Sequence, residues 1–190
     1  MEHPTAAALE AGLDLVRRSP ADAGRVELIV RRPAENAREV VQEARLTFAE
    51  GLVGDSWRAR LGRPVAEGSP LADVQVTVMN SRLAALVAGR DGRRQLAGDQ
   101  LYVDLDLSVA NLPPGTRLAV GSAVIEVSAQ PHLGCKKFSN RFGVDALRLV
   151  NSTVGRELRL RGLNARVVVE GTVRVGDPVR RQPALSRRPA

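Results

Sequence analysis

The sequence predicts a mostly β chain with a few short helices, an α+β protein built on a β-barrel or a highly curved sheet. Three observations predict this class. Many short runs alternate apolar and polar residues at close spacing, separated by Gly, Pro and Asp. Hydrophobic residues make up 44% of the 190 but aromatic ones only 3%, so the core must be largely Val, Leu, Ile and Ala. No long alternation of strands with helices occurs, which argues against a doubly wound parallel sheet. The length suits one domain with extensions. We divide it into a helical extension (1–23), a barrel domain (24–179) and a basic, flexible tail (180–190).

Each element has its own signal. In "TAAALEAGLDLVRRS", Leu9, Leu13 and Val16 recur at helical spacing after Thr5, an N-cap candidate. "GRVELIVRRP" alternates Val26, Leu28 and Val30 and ends in proline, as a strand does. "ENAREVVQEARLTF" reads equally as helix or strand. "EGLVGDSWRARLGRPVAEGSP" is rich in Gly, Pro and charge and reads as a long loop. "DVQVTVMNS" predicts a strand, after which Asn80 or Ser81 caps a short helix carrying Leu83, Leu86 and Val87. "LYVDLDLS", "TRLAVG" and "AVIEVSAQ" are three further strands, and "VDALRLVN" is a short helix. "NARVVVEGTVRVGDPVRR" reads as a hairpin with Gly171 near its turn.

Charge and composition narrow the function classes. The formal charge of +7 invites a nucleic-acid partner, but the arginines are scattered among 21 acidic residues and few aromatics offer stacking. Nucleic acid is therefore not the expected partner. No apolar run reaches the roughly 20 residues of a membrane helix. Glu2, Glu10 and Asp14 interrupt an N-terminus that has no basic start, unlike a signal peptide. A single cysteine excludes an intrachain disulfide. The simplest expectation is a cytoplasmic protein with no membrane partner.

The most informative stretch is "PHLGCKKFSNRFG", Pro131 to Gly143. It holds the only cysteine, Cys135, and the only two lysines, Lys136 and Lys137. Lone cysteines are commonly small buried hydrophobes. Here, however, Gly134 precedes and two lysines follow, just after a strand and a proline, which describes an exposed loop. Neighbouring cations favour the thiolate, the nucleophilic and metal-binding form. The lysines are either solvated charges or, with Arg141, donors to an anion such as phosphate. His132 is a candidate acid–base partner. One Cys and one His are too few for a structural zinc site, and no glycine-rich nucleotide loop is present. Gly-Asp recurs at Gly54-Asp55, Gly98-Asp99 and Gly176-Asp177, which by itself is turn chemistry. Asp104 and Asp106 read as solvent-facing or turn residues.

The ordered set "GLVGDSW", "VQVTVMN", "LAGDQLYVDLDLSVANLPPGTRLAVGSAVIEVSAQPHLGC" and "RGLNARVVVEGTVRVGDPV" resembles the MOSC domain, named for the C-terminal domain of molybdenum cofactor sulfurases. The resemblance spans Gly24 to Val179 and implies a β-barrel-like MOSC fold. It implies that Cys135 is the reactive residue, either carrying sulfur as a persulfide or ligating the metal of molybdenum cofactor (molybdopterin). Family members that bind the cofactor reduce N-hydroxylated compounds with electrons from partner proteins. By that analogy His132 joins Cys135 at the catalytic position. Lys136, Lys137, Arg141, Arg58, Asp55 and Asp99 are the candidate cofactor-binding residues, and an external electron or sulfur donor protein is the implied partner. The chain departs from the common pattern in three places. "GDSWRAR" stands where many members have a histidine after the first Gly-Asp, Gly98-Asp99-Gln100-Leu101 where many read Gly-Glu-Asn-Leu, and "PHLGC" replaces the usual Pro-Cys. The rival reading is a non-catalytic barrel that binds an anionic small molecule or a partner protein, with Cys135 structural.

Overall fold

A computed structural model describes residues 3–62, 69–89 and 92–182. Its centre is a closed seven-stranded barrel. The strands are β1 (Ala23–Arg31), β5 (Val76–Asn80), β6 (Leu101–Asp104), β7 (Arg117–Val120), β8 (Ala123–Val127), β9 (Leu163–Val169) and β11 (Pro178–Arg181). Around the ring the order is β1-β11-β7-β8-β9-β5-β6, and β6 closes back onto β1. Every pairing is antiparallel except β5 with β6, which are parallel and joined through helix α3 (Ser81–Ala88). A short strand β2 (Glu39–Val41) extends the free edge of β1. A second, three-stranded sheet places β3 (Glu43–Thr47) between β4 (Gly51–Leu52) and β10 (Gly171–Arg174).

Two apolar layers hold this together. Inside the barrel, Val26, Ile29, Val76, Val78, Leu101, Val103, Leu118, Ile125 and Ala165 form a core free of aromatics. Outside β1, β5 and β6 lies a second cluster. In it Val30, Met79 and Tyr102 meet α1 (Ala6–Arg17), α3, α4 (Lys136–Phe142) and α5 (Val144–Asn151). A strand sandwiched between two layers has both faces covered, so all five residues of β5 are buried, the polar Thr77 and Asn80 included. Each large side chain so buried contributes about 1.5–3 kcal/mol.

Most local expectations hold. Thr5 caps α1 by accepting from the Ala8 amide at 3.3 Å, and Leu9, Leu13 and Val16 are its buried face. Asn80 caps α3, with Oδ1 accepting from the Leu83 amide at 3.0 Å. The ambiguous stretch resolves into β2 and β3. The long loop contains β4 and a five-residue helix, α2 (Trp57–Leu61), ended by Gly62 at φ 62°. A further short helix, α6 (Thr153–Glu157), is capped by Ser152, whose Oγ accepts from the Gly155 amide at 2.9 Å.

Two readings are corrected. Val26, Leu28 and Val30 do not share a face. A bulge between Val26 and Leu28 shifts the register, so Val26 and Ile29 point into the barrel while Leu28 and Val30 join the helical layer. The C-terminal "hairpin" is not one either. β9 pairs with β8 and β5, whereas β10 leaves the barrel to pair with β3. A Cβ on Gly171 would stand 2.5 Å from the Ser122 carbonyl carbon, so glycine there lets the chain pass close as it crosses between the sheets. Of the expected tail, Arg180 and Arg181 belong to β11, and residues 183–190 lie outside the described residues.

Candidate functional site

A cavity of about 410 Å³ opens where the C-terminal end of β1 meets the segments that lead into β6, α4 and β9. Its wall carries Arg32, Arg38, Arg60, Arg141 and Arg161, together with Lys137, and Cys135 is exposed on the same wall. Cys135 occupies the N-cap position of α4 with extended backbone, and its side chain makes no capping bond. Glu35 is the one carboxylate among the described lining residues.

Two buried carboxylates beneath the wall aim two of these arginines. Asp55 has no exposed side-chain surface. It accepts from Arg32 Nε at 2.7 Å, Arg32 Nη2 at 2.9 Å, and the amides of Arg32 and Trp57 at 3.0 and 2.9 Å. Arg32 Nη1 also donates to the Gly98 carbonyl at 2.8 Å. Asp99, equally enclosed, accepts from Arg161 Nη1 at 2.6 Å and lies 2.9 Å from His132 Nε2. Arg161 Nη2 donates to the Ala97 carbonyl, and its guanidinium lies 5.1 Å from the Phe138 ring centroid. Burial alone would raise the Asp99 carboxyl, but Arg161 and His132 outweigh it and hold its pKa below the ordinary value. Burial, then the Arg161 charge, lowers the His132 pKa against the opposing pull of Asp99, so the imidazole is neutral at pH 7 and donates from Nε2.

The remaining cations are crowded. Burial, then repulsion from Arg141 and Arg32, lowers the Arg38 pKa, and burial with Arg32 does the same at Arg60. Arg141 is held by the Leu96 carbonyl at 2.8 Å and by Asn36 Oδ1 at 3.2 Å. Among the described residues, neither Arg38 nor Arg141 has a carboxylate partner. Nε of Arg38 and Nε of Arg161 are buried without a hydrogen-bond partner. Six cations against one carboxylate among the described lining residues mark the cavity as a place for an anion.

The structure sorts the sequence candidates. Cys135, Lys137 and Arg141 come together on the cavity wall. Lys136 lies on the first turn of α4 but does not line the cavity. Arg58 turns away to the Ala49 carbonyl, and Arg60, two residues further along α2, lines the cavity in its place. Asp55 and Asp99 are too deeply buried to touch a ligand, and they act by fixing Arg32 and Arg161. His132 is committed to Asp99 and does not line the cavity, so it anchors the loop before the thiol. Sequence reasoning missed Arg32, Arg38, Arg60 and Arg161. No local signal marks them, since a Gly-Asp pair also occurs at Gly176-Asp177, whose carboxylate only closes its own turn.

No group of three His, Cys, Asp or Glu side chains among the described residues is placed to hold a metal ion alone. A metal at Cys135 would need donor atoms brought by its own ligand, as a pterin dithiolene brings sulfur. No described helix is long and apolar enough to cross a membrane.

The family model described as "MOSC domain" matches residues 54–180. Among solved structures, one titled as a hypothetical protein is 24% identical, with a TM-score of 0.58 over 91% of this chain and 73% of that one. The YUAD protein from Bacillus subtilis is 14% identical, with a TM-score of 0.57 over 83% of this chain and 94% of that one. YiiM from Escherichia coli is 22% identical, with a TM-score of 0.55 over 85% of this chain and 71% of that one. At these identities the likeness is one of fold. A search of curated proteins returns no significant match.

Proposed function

This chain belongs to the MOSC domain family, and on that premise we propose that its cationic cavity holds molybdenum cofactor, with Cys135 as the protein's thiolate ligand to the metal. One observation carries the reading: the exposed cysteine shares a cavity wall with five arginines and a lysine. The volume lies within the range of small-molecule sites. The residues fit the group. Arg38 and Arg141 are each tied to backbone or amide oxygens and Lys137 to an exposed carboxylate, so each keeps further N–H donors for a phosphate. A soft thiolate suits a soft metal already held by sulfur.

When bound, the cofactor supplies the redox chemistry, which family members use on N-hydroxylated compounds. The chain's own residues do the rest. Asp55 and Asp99 hold Arg32 and Arg161 against the wall, so these guanidiniums meet an anion without first being ordered. Lys137, bound to Glu35 at 2.6 Å across the rim, is an exposed pair worth little by itself and is readily exchanged for a ligand anion. His132 stays neutral and keeps Asp99 charged.

The exposure of the thiol favours a second reading, sulfur carriage. The Cys135 thiolate attacks the outer sulfur of a donor persulfide, the donor cysteine leaves as a thiolate, and Cys135 holds the sulfur for an acceptor. The step needs no outside oxidant.

The test is elemental and pterin analysis of the protein expressed with molybdate, alongside Cys135→Ser. Near-stoichiometric molybdenum and pterin in the wild type, with molybdenum lost in the variant, is the expected result. A metal-free wild type whose Cys135 carries one added sulfur by mass would replace it with sulfur carriage. Phosphate binding that is indifferent to Cys135→Ser, with neither metal nor added sulfur, would leave a non-catalytic anion-binding barrel.

A further inference from the structure

The segment from Ser128 to Cys135 has neither helix nor strand, yet three side chains from distant parts of the chain grip it. Asn164 of β9 donates through Nδ2 to the carbonyls of Gln130 and Pro131 at 3.2 and 3.3 Å. Asp99 holds His132. The third grip is the tightest in register. Asn151 Oδ1 accepts from the Gly134 amide at 2.9 Å, and Asn151 Nδ2 donates to the Gly134 carbonyl at 3.1 Å. One side-chain amide thus satisfies both polar groups of the residue that precedes the thiol. Asn151 is the last residue of α5, a helix anchored by the buried Ala146 and Val150, so the grip is exerted from a rigid platform.

Gly134 completes the fit. A Cβ there would lie 2.8 Å from both Leu147 Cδ1 and Val150 Cγ2, so the loop presses directly against α5. An aliphatic side chain at 151 would leave a half-buried N–H and C=O without partners, which costs more than the two bonds contribute.

We infer that Asn151 is the positioning residue for Cys135: by pairing with both sides of the Gly134 backbone it fixes the thiol on the cationic cavity wall. The inference rests on the reading that this thiol works with that cavity, and it assigns the placement to a residue outside the cavity itself.

The experiment measures alkylation rates of Cys135 in the folded protein with iodoacetate and with the neutral iodoacetamide. The ratio of the two rates reports how strongly the cavity's charge is felt at the thiol. Asn151→Ala is expected to lower that ratio at least about fivefold, the scale of losing two modest hydrogen bonds, and to change the iodoacetamide rate as well. Asn151→Gln, which keeps the amide, is expected to recover part of the ratio. Should Asn151→Ala fail to fold, Gly134→Ala decides, because its methyl pushes the same segment off α5 and is expected to lower the ratio equally. An Asn151→Ala protein that melts earlier but keeps both rates would overturn the inference and leave Asn151 purely structural. Arg141→Gln separates the two layers of the argument. If it leaves the wild-type ratio unchanged, the cavity reading fails, and the role of Asn151 is then judged on the iodoacetamide rate alone.

Discussion

Three Gly-Asp pairs in this chain share one backbone shape and have two different fates. Gly54, Gly98 and Gly176 all sit at positive φ, 82°, 92° and 93°, a backbone region open to glycine, and each bends the chain just before its aspartate. At the first two, the aspartate side chain is fully enclosed and grips an arginine of the cavity wall. At the third, Asp177 stays at the surface and accepts from the Arg174 amide at 2.7 Å, closing its own turn. The backbone preference of glycine produces the turn in every case. What the aspartate reaches decides whether the turn is a corner or part of a site.

Removing a carboxylate should therefore separate the pairs most sharply. Asp99→Ala leaves Arg161 buried beside a vacated partner and His132 without its acceptor, and it is expected to cost about 3–5 kcal/mol. Asp55→Ala should cost a similar amount, because four donors converge on that carboxylate. Chemical denaturation measures both. A loss under about 1 kcal/mol at either position would mean that its arginine finds water or a new partner, and the comparison would collapse.

The next effect concerns the cations themselves. Among the described residues Arg38 and Arg141 have no carboxylate partner, so they carry the surplus charge of the cavity. Replacing either with Gln should weaken inorganic phosphate binding about tenfold, the scale of one charge-assisted hydrogen bond. Arg58→Gln, a change outside the cavity, should leave it unaltered. Isothermal titration distinguishes them, and equal losses at Arg58 and Arg141 would place the anion elsewhere.

A smaller effect follows from pH. The folded pKa of His132 lies below its ordinary value of 6.5, mainly through burial. As pH falls, the unfolded chain takes up this proton before the folded one does. Its contribution to stability is complete above about pH 6.5 and declines below it, by at most about 1.4 kcal/mol per pH unit. Asp99, held below its ordinary 3.8 by Arg161 and His132, adds its loss only at more acidic pH, as pH passes down through its folded value. Melting temperature should therefore fall as pH drops below about 6.5 in the wild type. The slope should flatten in His132→Gln, and an identical slope in both would assign the effect to another group.

Legibility in the sequence followed the range of the interactions. Thr5, Asn80 and the run "VQVTVMN" announced their elements because caps and alternation act within a few residues. The bulge in β1 and the pairing of β10 with β3 depend on strands far away in sequence, so "GRVELIV" and "RVVVEGTVRV" were misread as an even alternation and a hairpin. The exposed Cys135 was legible from its glycine and lysine neighbours. The arginines of the wall were not, because in a chain whose basic residues are nearly all arginine nothing local separates Arg32 or Arg161 from a solvated charge. Asp55 and Asp99 were seen, but as turn residues or ligand contacts. Their burial, and with it their task of holding arginines, exists only once β1, β6 and β9 come together.

The third pair supplies the smallest prediction and the strictest control. Asp177→Asn keeps an oxygen for the Arg174 amide and removes only a surface charge, so stability should change by no more than about 0.5 kcal/mol. Phosphate affinity and Cys135 alkylation should not change at all. The position is not without neighbours, since Asp177 Oδ2 lies 2.5 Å from where a Cβ on Gly121 would stand, against the turn between β7 and β8. If Asp177→Asn destabilised the protein as much as a change at Asp99, that contact would be supporting the barrel closure between β7 and β11. The three turns would then differ in what they hold together, and no longer in whether they hold anything beyond themselves.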